Sequence, residues 1–404
     1  MRIARNLVLA WVVWLAGACG AGSTSSVTVE RTDSAGVEIV LSRGPDVLFD
    51  WTFAPVLTLG GAEEGPEAFF QVSRYSIAVG AEGHLYILDS GNHHVQVFDD
   101  EGRHVRTMGR KGGGPGELQF WPNMIRLGSD GTIHVYDIGK RGLVRYAPDG
   151  TPLPEVRLDA FGSMIQGYAL TESGIVVRTT AKSPNGDDML DVLATLAPDG
   201  DTTHLLQAPS PPMKPAQFSC VAISGMTELL APDLRWTAAG SRIFAVTDAA
   251  YVIDVYEAGR HVASYRRDVA PRPATRELAK QSVGEKWEVR FGDGGSCVVQ
   301  PDEVVDVRGY AKVVPTIGDV VVAPDGTLWV RRYPIRDEPV PIDILGPDGA
   351  YLGTLPAGAP FPAAFFPDGR IVAVEKDEFD VPRVVVYRVE GWSPGAIPRP
   401  DGRA

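Results

Sequence analysis

Arginine and lysine side chains gather at corresponding points along the 404-residue sequence: Arg74, Arg110 and Lys111, Lys140 and Arg141, and Arg331, Arg332 and Arg336. Each guanidinium presents a planar fork of N–H donors, so a cluster of them suits a carboxylate, phosphate or sulfate. Asn92, His93, Glu117, Phe120 and Trp121 lie among them and supply hydrogen bonds and a stacking face. Taken singly, each cation is more often a solvated loop charge beside an acid. A second chemistry would use Asp89, Asp137 and Asp377, which with Asn92 and His93 would have to converge on one point to hold a divalent cation such as Ca2+ or Zn2+. Turn capping is the commoner task of such aspartates.

The stretch GRKGGGPGE, residues 109–117, has the glycine content of a phosphate cradle. Such a cradle needs a helix N-terminus behind it and usually a Lys-Ser/Thr ending, whereas here a Pro-Gly pair and ELQFWPN follow. A turn-rich connection between strands is the better reading. His93 and His94 are adjacent, so on a strand they point to opposite faces and do not form a simple metal pair. The chain has no nucleophile elbow, no HExxH and no catalytic-cysteine context. Trp121, Trp236 and Trp329 are candidates for a stacking platform or for packing between sheets.

These residues must be positioned by a repeating frame. Thr58, Gly60, Gly65 and Pro66 recur as Thr107, Gly109, Gly114 and Pro115, and IAVGAEGHLYILD (77–89) recurs as IRLGSDGTIHVYD (125–137). A period of this length fits one four-stranded propeller blade. The turn of a first hairpin is found at Glu82-Gly83, Asp130-Gly131, Ser173-Gly174, Gly240-Ser241, Asp325-Gly326 and Asp368-Gly369. That of a second hairpin is found at Glu101-Gly102, Asp149-Gly150, Asp199-Gly200, Ala258-Gly259 and Asp348-Gly349. The reading is an all-β, six-bladed β-propeller of four-stranded antiparallel blades over residues 36–392. Its missing strand would come from GVEIVL (36–41) or FAPVLTL (53–59), so that the two chain ends close the ring and remove exposed edges. Residues 274–290 break the alternation and predict one short helical insertion, placed over a sheet edge rather than over the channel. The loops between second and third strands share a face with the connections between blades, and their convergence makes that face the expected binding surface.

Arg2 and Arg5 precede a short apolar run and then small residues before Cys19, the layout of an export signal over residues 1–18. Residues 15–19, LAGAC, resemble a bacterial lipobox, which implies a lipidated Cys19, a flexible linker over 19–35 and a membrane tether. An uncleaved anchor or simple secretion is the alternative. Residues 393–404 read as a tail. Cys220 and Cys297 are either disulfide-bonded, as an oxidising compartment favours, or two buried thiols. A formal charge of −13 argues against nucleic-acid binding.

LYILDSGNHHVQVFDDEGRHVRTMG (85–109) resembles an NHL-type propeller repeat through Asp89, Asn92, His93, Val97 and Phe98. The next unit keeps Asp137 but has Lys140 and Arg141 where Asn-His would stand. The whole chain is similar to uncharacterised six-bladed propeller lipoproteins of bacteria. That resemblance implies a fold and an envelope location facing the periplasm or cell exterior, and no activity. Two functions are open: a binding module for a small anionic ligand, a glycan or an envelope protein, with no cofactor, or a metal-dependent hydrolase or lyase of the lactonase or amidating-lyase kind, with its site in the central channel.

Overall fold

Asp-Gly-Thr is the local instruction from which the blades are built. In the second blade Asp130 accepts hydrogen bonds from the Thr132 N–H (3.0 Å) and hydroxyl (2.8 Å), and in the fifth Asp325 does the same for Thr327 (2.9 and 2.6 Å). The glycine between them takes a positive φ, 77° at Gly131 and 82° at Gly326, which reverses the chain so that the flanking apolar runs pair.

The computed structural model describes residues 27–61, 64–161, 165–184, 189–197, 200–291 and 295–392. The expected export signal, Cys19 and the expected tail from 393 lie outside them. Six sheets form the blades, spanning 77–108, 122–157, 167–209, 235–267, 317–355 and, for the sixth, 364–390 with Thr52–Leu59 as its outermost strand. First strands of successive blades neighbour one another and surround a channel. Six of the hydrophobic clusters each join two adjacent blades. Tyr86, Leu88 and Val97 of the first blade pack on Ile125, Val135 and Tyr146 of the second. Leu85, Ile87 and Phe98, from the other faces of the same strands, pack on Val372, Val384 and Val386 of the sixth. Strands buried on both faces therefore read as continuous apolar runs. Trp329 is fully buried between the fifth and sixth blades with Trp51 and Trp392, so it packs the frame and offers no stacking platform.

Ring closure uses FAPVLTL: Thr52–Leu59 pairs antiparallel with Pro382–Glu390. GVEIVL goes elsewhere. Within Val37–Arg43 it lies parallel to Arg260–Arg267 at the outer edge of the fourth blade and forms a hairpin with Thr28–Ser34. The linker expected through residue 35 is thus cut short, because residues 28–34 find a strand partner.

The insertion also departs from expectation. Only Arg276–Val283 (α1) of the 274–290 stretch is helical, with Thr275 as its N-cap and Gly284 as its stop. Trp287–Arg290 is a strand paired with Ser296–Val299, and a second helix, Pro301–Arg308 (α2), follows, begun by proline and two acids. These elements pack with the hairpin Lys214–Gln217 and Ala222–Met226, drawn from the connection before the fourth blade, around a core of Phe218, Leu229, Ala279, Val299, Val304 and Ile335. Cys220 and Cys297 are joined in a disulfide that ties the two connections together. This satellite rests on the loop after the fifth blade's second strand, where Arg272 makes a double hydrogen bond to Glu338 (3.0 and 2.9 Å) and Arg336 donates to the Val283 carbonyl (3.2 Å). The edge of the fourth blade is covered instead by the N-terminal hairpin.

Candidate functional site

The first strands, being innermost, deliver side chains to a central cavity of about 500 Å3. Tyr75 comes from the turn entering the first blade, Arg126 from the second, Tyr168 from the third, Arg235 and Trp236 from the fourth and Asp319 from the fifth. Arg74 reaches Asp319 at 2.5 Å, and Arg331, from the fifth blade's second strand, reaches the same carboxylate at 3.6 Å. Both guanidiniums also lie over the Phe361 ring, at 5.5 and 4.8 Å.

Arg126 has no carboxylate partner among the described residues. Its guanidinium donates to the Ile125 carbonyl (2.7 Å) and stands 5.7 Å from the Tyr168 ring. Burial pulls its pKa below the ordinary arginine value, Tyr168 works against that, and the like charge of Arg74 adds to it. Arg331 is lowered for the same first reason, with Asp319 opposing and Arg74 adding, and its buried Nε has no hydrogen-bond partner. Beside this group Arg178 is matched by Asp191 (2.9 Å), Asp233 and the Leu234 carbonyl (2.8 Å), while Arg235 shares Asp233 at 3.8 Å. Arg74, Arg126 and Arg331 therefore hold three positive charges against one carboxylate. A partly buried charge without a counter-charge has lost hydration that a bound anion would make up.

The structure scatters the other candidates. Arg332, next to Arg331 on one strand, points to the opposite face and joins Arg267, Asp46 and Asp343 between the fourth and fifth blades. Arg110 pairs with Glu117 (2.7 Å). Lys140 is buried, donating to the Gly114 carbonyl (2.7 Å) and to Glu155. Glu117 fills the glycine loop itself by accepting the Gly114 N–H (2.8 Å), and a Cβ at Gly112 would meet its carboxylate at 2.1 Å, so GRKGGGPGE closes on its own side chain and leaves no phosphate cradle. Lys111 is exposed and touches this loop through its backbone bridge to Leu118. Arg141 is exposed at a left-handed φ of 48° and acts through its backbone, accepting from the Leu158 N–H. His93 meets the Leu118 carbonyl (3.1 Å) and Asn92 meets Asp89 (2.9 Å), so both brace loops. Trp121 alone of the loop candidates lines the cavity, where Arg126 and Asp319 also stand.

The three aspartates do not meet. Asp89 accepts the N–H groups of Phe70 (2.7 Å) and Gln71 (3.0 Å), Asp137 those of Gln119 (2.6 Å) and Lys140 (3.1 Å), and Asp377 those of Phe379 (2.9 Å) and Val381 (3.0 Å). Their oxygens are spent on backbone, and among the described residues no three His, Cys, Asp or Glu side chains form a group that could hold a metal ion. Attention to loops missed Arg126, Arg235 and Asp319, although their places in first strands were a usable signal.

Residues 65–173 match a family described as a 6-bladed beta-propeller. No curated protein matches the sequence. Among solved structures, an exported protein from Bacteroides fragilis is similar over 87% of this chain and 99% of its own, at 16% identity and a TM-score of 0.52. A protein from Bacteroides vulgatus covers 84% of this chain and 98% of its own at 9% identity and a TM-score of 0.49, and virginiamycin B lyase from Staphylococcus aureus covers 83% and 99% at 13% identity and 0.37. Identities this low speak to fold alone, so the lyase contributes no chemistry to this chain. The chain resembles an uncharacterised bacterial propeller family, and its fold is a six-bladed β-propeller.

Proposed function

We propose that the protein is an exported, lipid-anchored envelope module that binds a small anionic ligand in its central channel. The observation carrying this reading is Arg126, which lines a cavity of ligand size without a carboxylate partner among the described residues, beside Arg74, which with Arg331 pairs to the one carboxylate of Asp319 in the same cavity wall. Mechanistically it is rigid display: closed sheets fix the guanidiniums before the ligand arrives, so little ordering is required on binding. The lipobox-like sequence before Cys19 and the naming of the Bacteroides fragilis neighbour as exported support the location. Among the described residues no three His, Cys, Asp or Glu side chains group in the channel as the metal-dependent hydrolase or lyase would need.

Calorimetric titration of the purified protein with inorganic phosphate, sulfate and citrate tests this. Saturable binding of at least one is expected, weakened about ten-fold or more in Arg126→Gln, since one charge-assisted contact is worth about 1.5–3 kcal/mol. Absence of saturable binding by all three would remove the reading.

A further inference from the structure

The first two blades share a device that the anion site leaves unexplained. In each, a buried aspartate at the end of the second strand reaches across to the connection entering the blade and accepts the N–H of an exposed phenylalanine: Asp89 to Phe70 and Asp137 to Phe120 (3.3 Å). Each phenylalanine lies close over a glycine of the loop that follows the aspartate. A Cβ at Gly91 would meet the Phe70 ring at 2.1 Å, and one at Gly139 would meet the Phe120 Cβ at 2.8 Å. The rings nevertheless face outward, Phe70 being 74% and Phe120 59% exposed. Phe120 stands edge-on to Trp121, itself 54% exposed, at 6.3 Å, and Trp121 continues into the cavity that holds Arg126.

Large apolar rings held in water by fully buried polar pins mark a surface shaped to receive something apolar. A loop that served only to connect blades would have no use for them. The occupant is constrained from both ends, because the Phe120–Trp121 pair runs into the cavity where Arg126 has no carboxylate partner among the described residues.

We propose that the ligand is an amphipathic anion, with a carboxylate or phosphate head on Arg126 and its neighbour Arg74 and an apolar body along Trp121 and Phe120, Phe70 being the equivalent ring on the neighbouring blade. This rests on the anion-binding reading and specifies its ligand. A glycan or a bare inorganic anion would use only part of the surface.

Four probes separate the cases by calorimetry: inorganic phosphate (head alone), 1-naphthol (body alone), 1-naphthyl phosphate and 1-naphthoate (both, with the two head chemistries). At least one of the last two is expected to bind about ten-fold or more tighter than either fragment, as burial of one aromatic face warrants. Phe120→Ser, at an exposed position that leaves the fold intact, should weaken the naphthyl anion about five-fold or more and leave phosphate within about two-fold, the loss of apolar contact alone. Phe70→Ser repeats the measurement at the equivalent site. Equal affinity for phosphate and both naphthyl anions, or no effect of either serine variant, overturns the amphipathic ligand while leaving anion binding in place. Binding of 1-naphthol alone, or of no probe, overturns this inference, and the anion reading falls with it when sulfate and citrate also fail to bind.

Discussion

Two buried arginine groups stand side by side in this propeller and are built on opposite principles. Between the fourth and fifth blades, Arg267 and Arg332 face Asp46 and Asp343, with Thr354 also donating to Asp343 (2.6 Å) and the Tyr351 ring under Arg267 at 3.7 Å. Every charge there has its opposite. In the channel, Arg74 and Arg331 share Asp319, Arg126 has no carboxylate partner among the described residues, and the buried Nε of Arg331 is left without a hydrogen bond. Arg331 and Arg332 are neighbours in sequence, so residue type did not decide which role each took. The alternation of a strand did, sending one side chain into a satisfied seam and the other into an open cavity.

The largest expected break in this comparison is Arg332→Ala. It strips a partner from Asp343, which is fully buried, and should cost about 3 kcal/mol or more in denaturant unfolding, because a buried carboxylate is left short of counter-charge. A loss under about 1 kcal/mol would show that the seam is no better satisfied than the channel.

A smaller effect is expected at Arg331→Ala. Stability should change by about 1 kcal/mol or less, in either direction, because the charge removed was poorly compensated, while anion affinity falls. Similar destabilisation by both variants would erase the distinction between the groups.

The smallest effect is in acid. Burial alone would raise the Asp46 pKa, but the guanidiniums of Arg332 and Arg267 outweigh it and hold the carboxyl below its ordinary 3.8. The folded value lies below the unfolded one, so this contribution is whole above about pH 4 and is lost as the pH falls through the folded value. Asp46→Asn should therefore be less stable than the natural protein at neutral pH, and the two should converge below about pH 4 in parallel unfolding curves.

The frame was legible because one local instruction, Xaa-Gly after an apolar strand, repeats with the blade, and each copy needs only its own neighbours. The satellite was not, because its core joins Phe218 and Leu229 to Val299 and Val304 across the whole fourth blade, and no local pattern announces such a partnership. The N-terminal strands offered two equivalent candidates for closure, and only tertiary pairing separates FAPVLTL from GVEIVL. At the site, loop position found Arg74, Trp121 and Arg331 but also drew in Arg110 and Lys140, whose partners Glu117 and Glu155 lie within a few turns of them. Arg126 was hidden inside an apparently ordinary strand, since a lone cation amid Met124, Ile125 and Leu127 gives no hint that its neighbour is empty space.

Closure of the ring by Thr52–Leu59 has a consequence in time. Thr52 meets Glu390 across a sequence separation of 338, and the chain between them must be made and largely folded before that meeting is favourable, because loop closure has to be compensated by contacts already in place. Until then the sixth blade lacks its outermost strand and presents Pro382–Glu390 as a raw edge. A chain that emerges unfolded and ties its two ends together last therefore passes its most adhesive moment just before completion, when one strand-width of open sheet separates a sealed cylinder from an aggregating one.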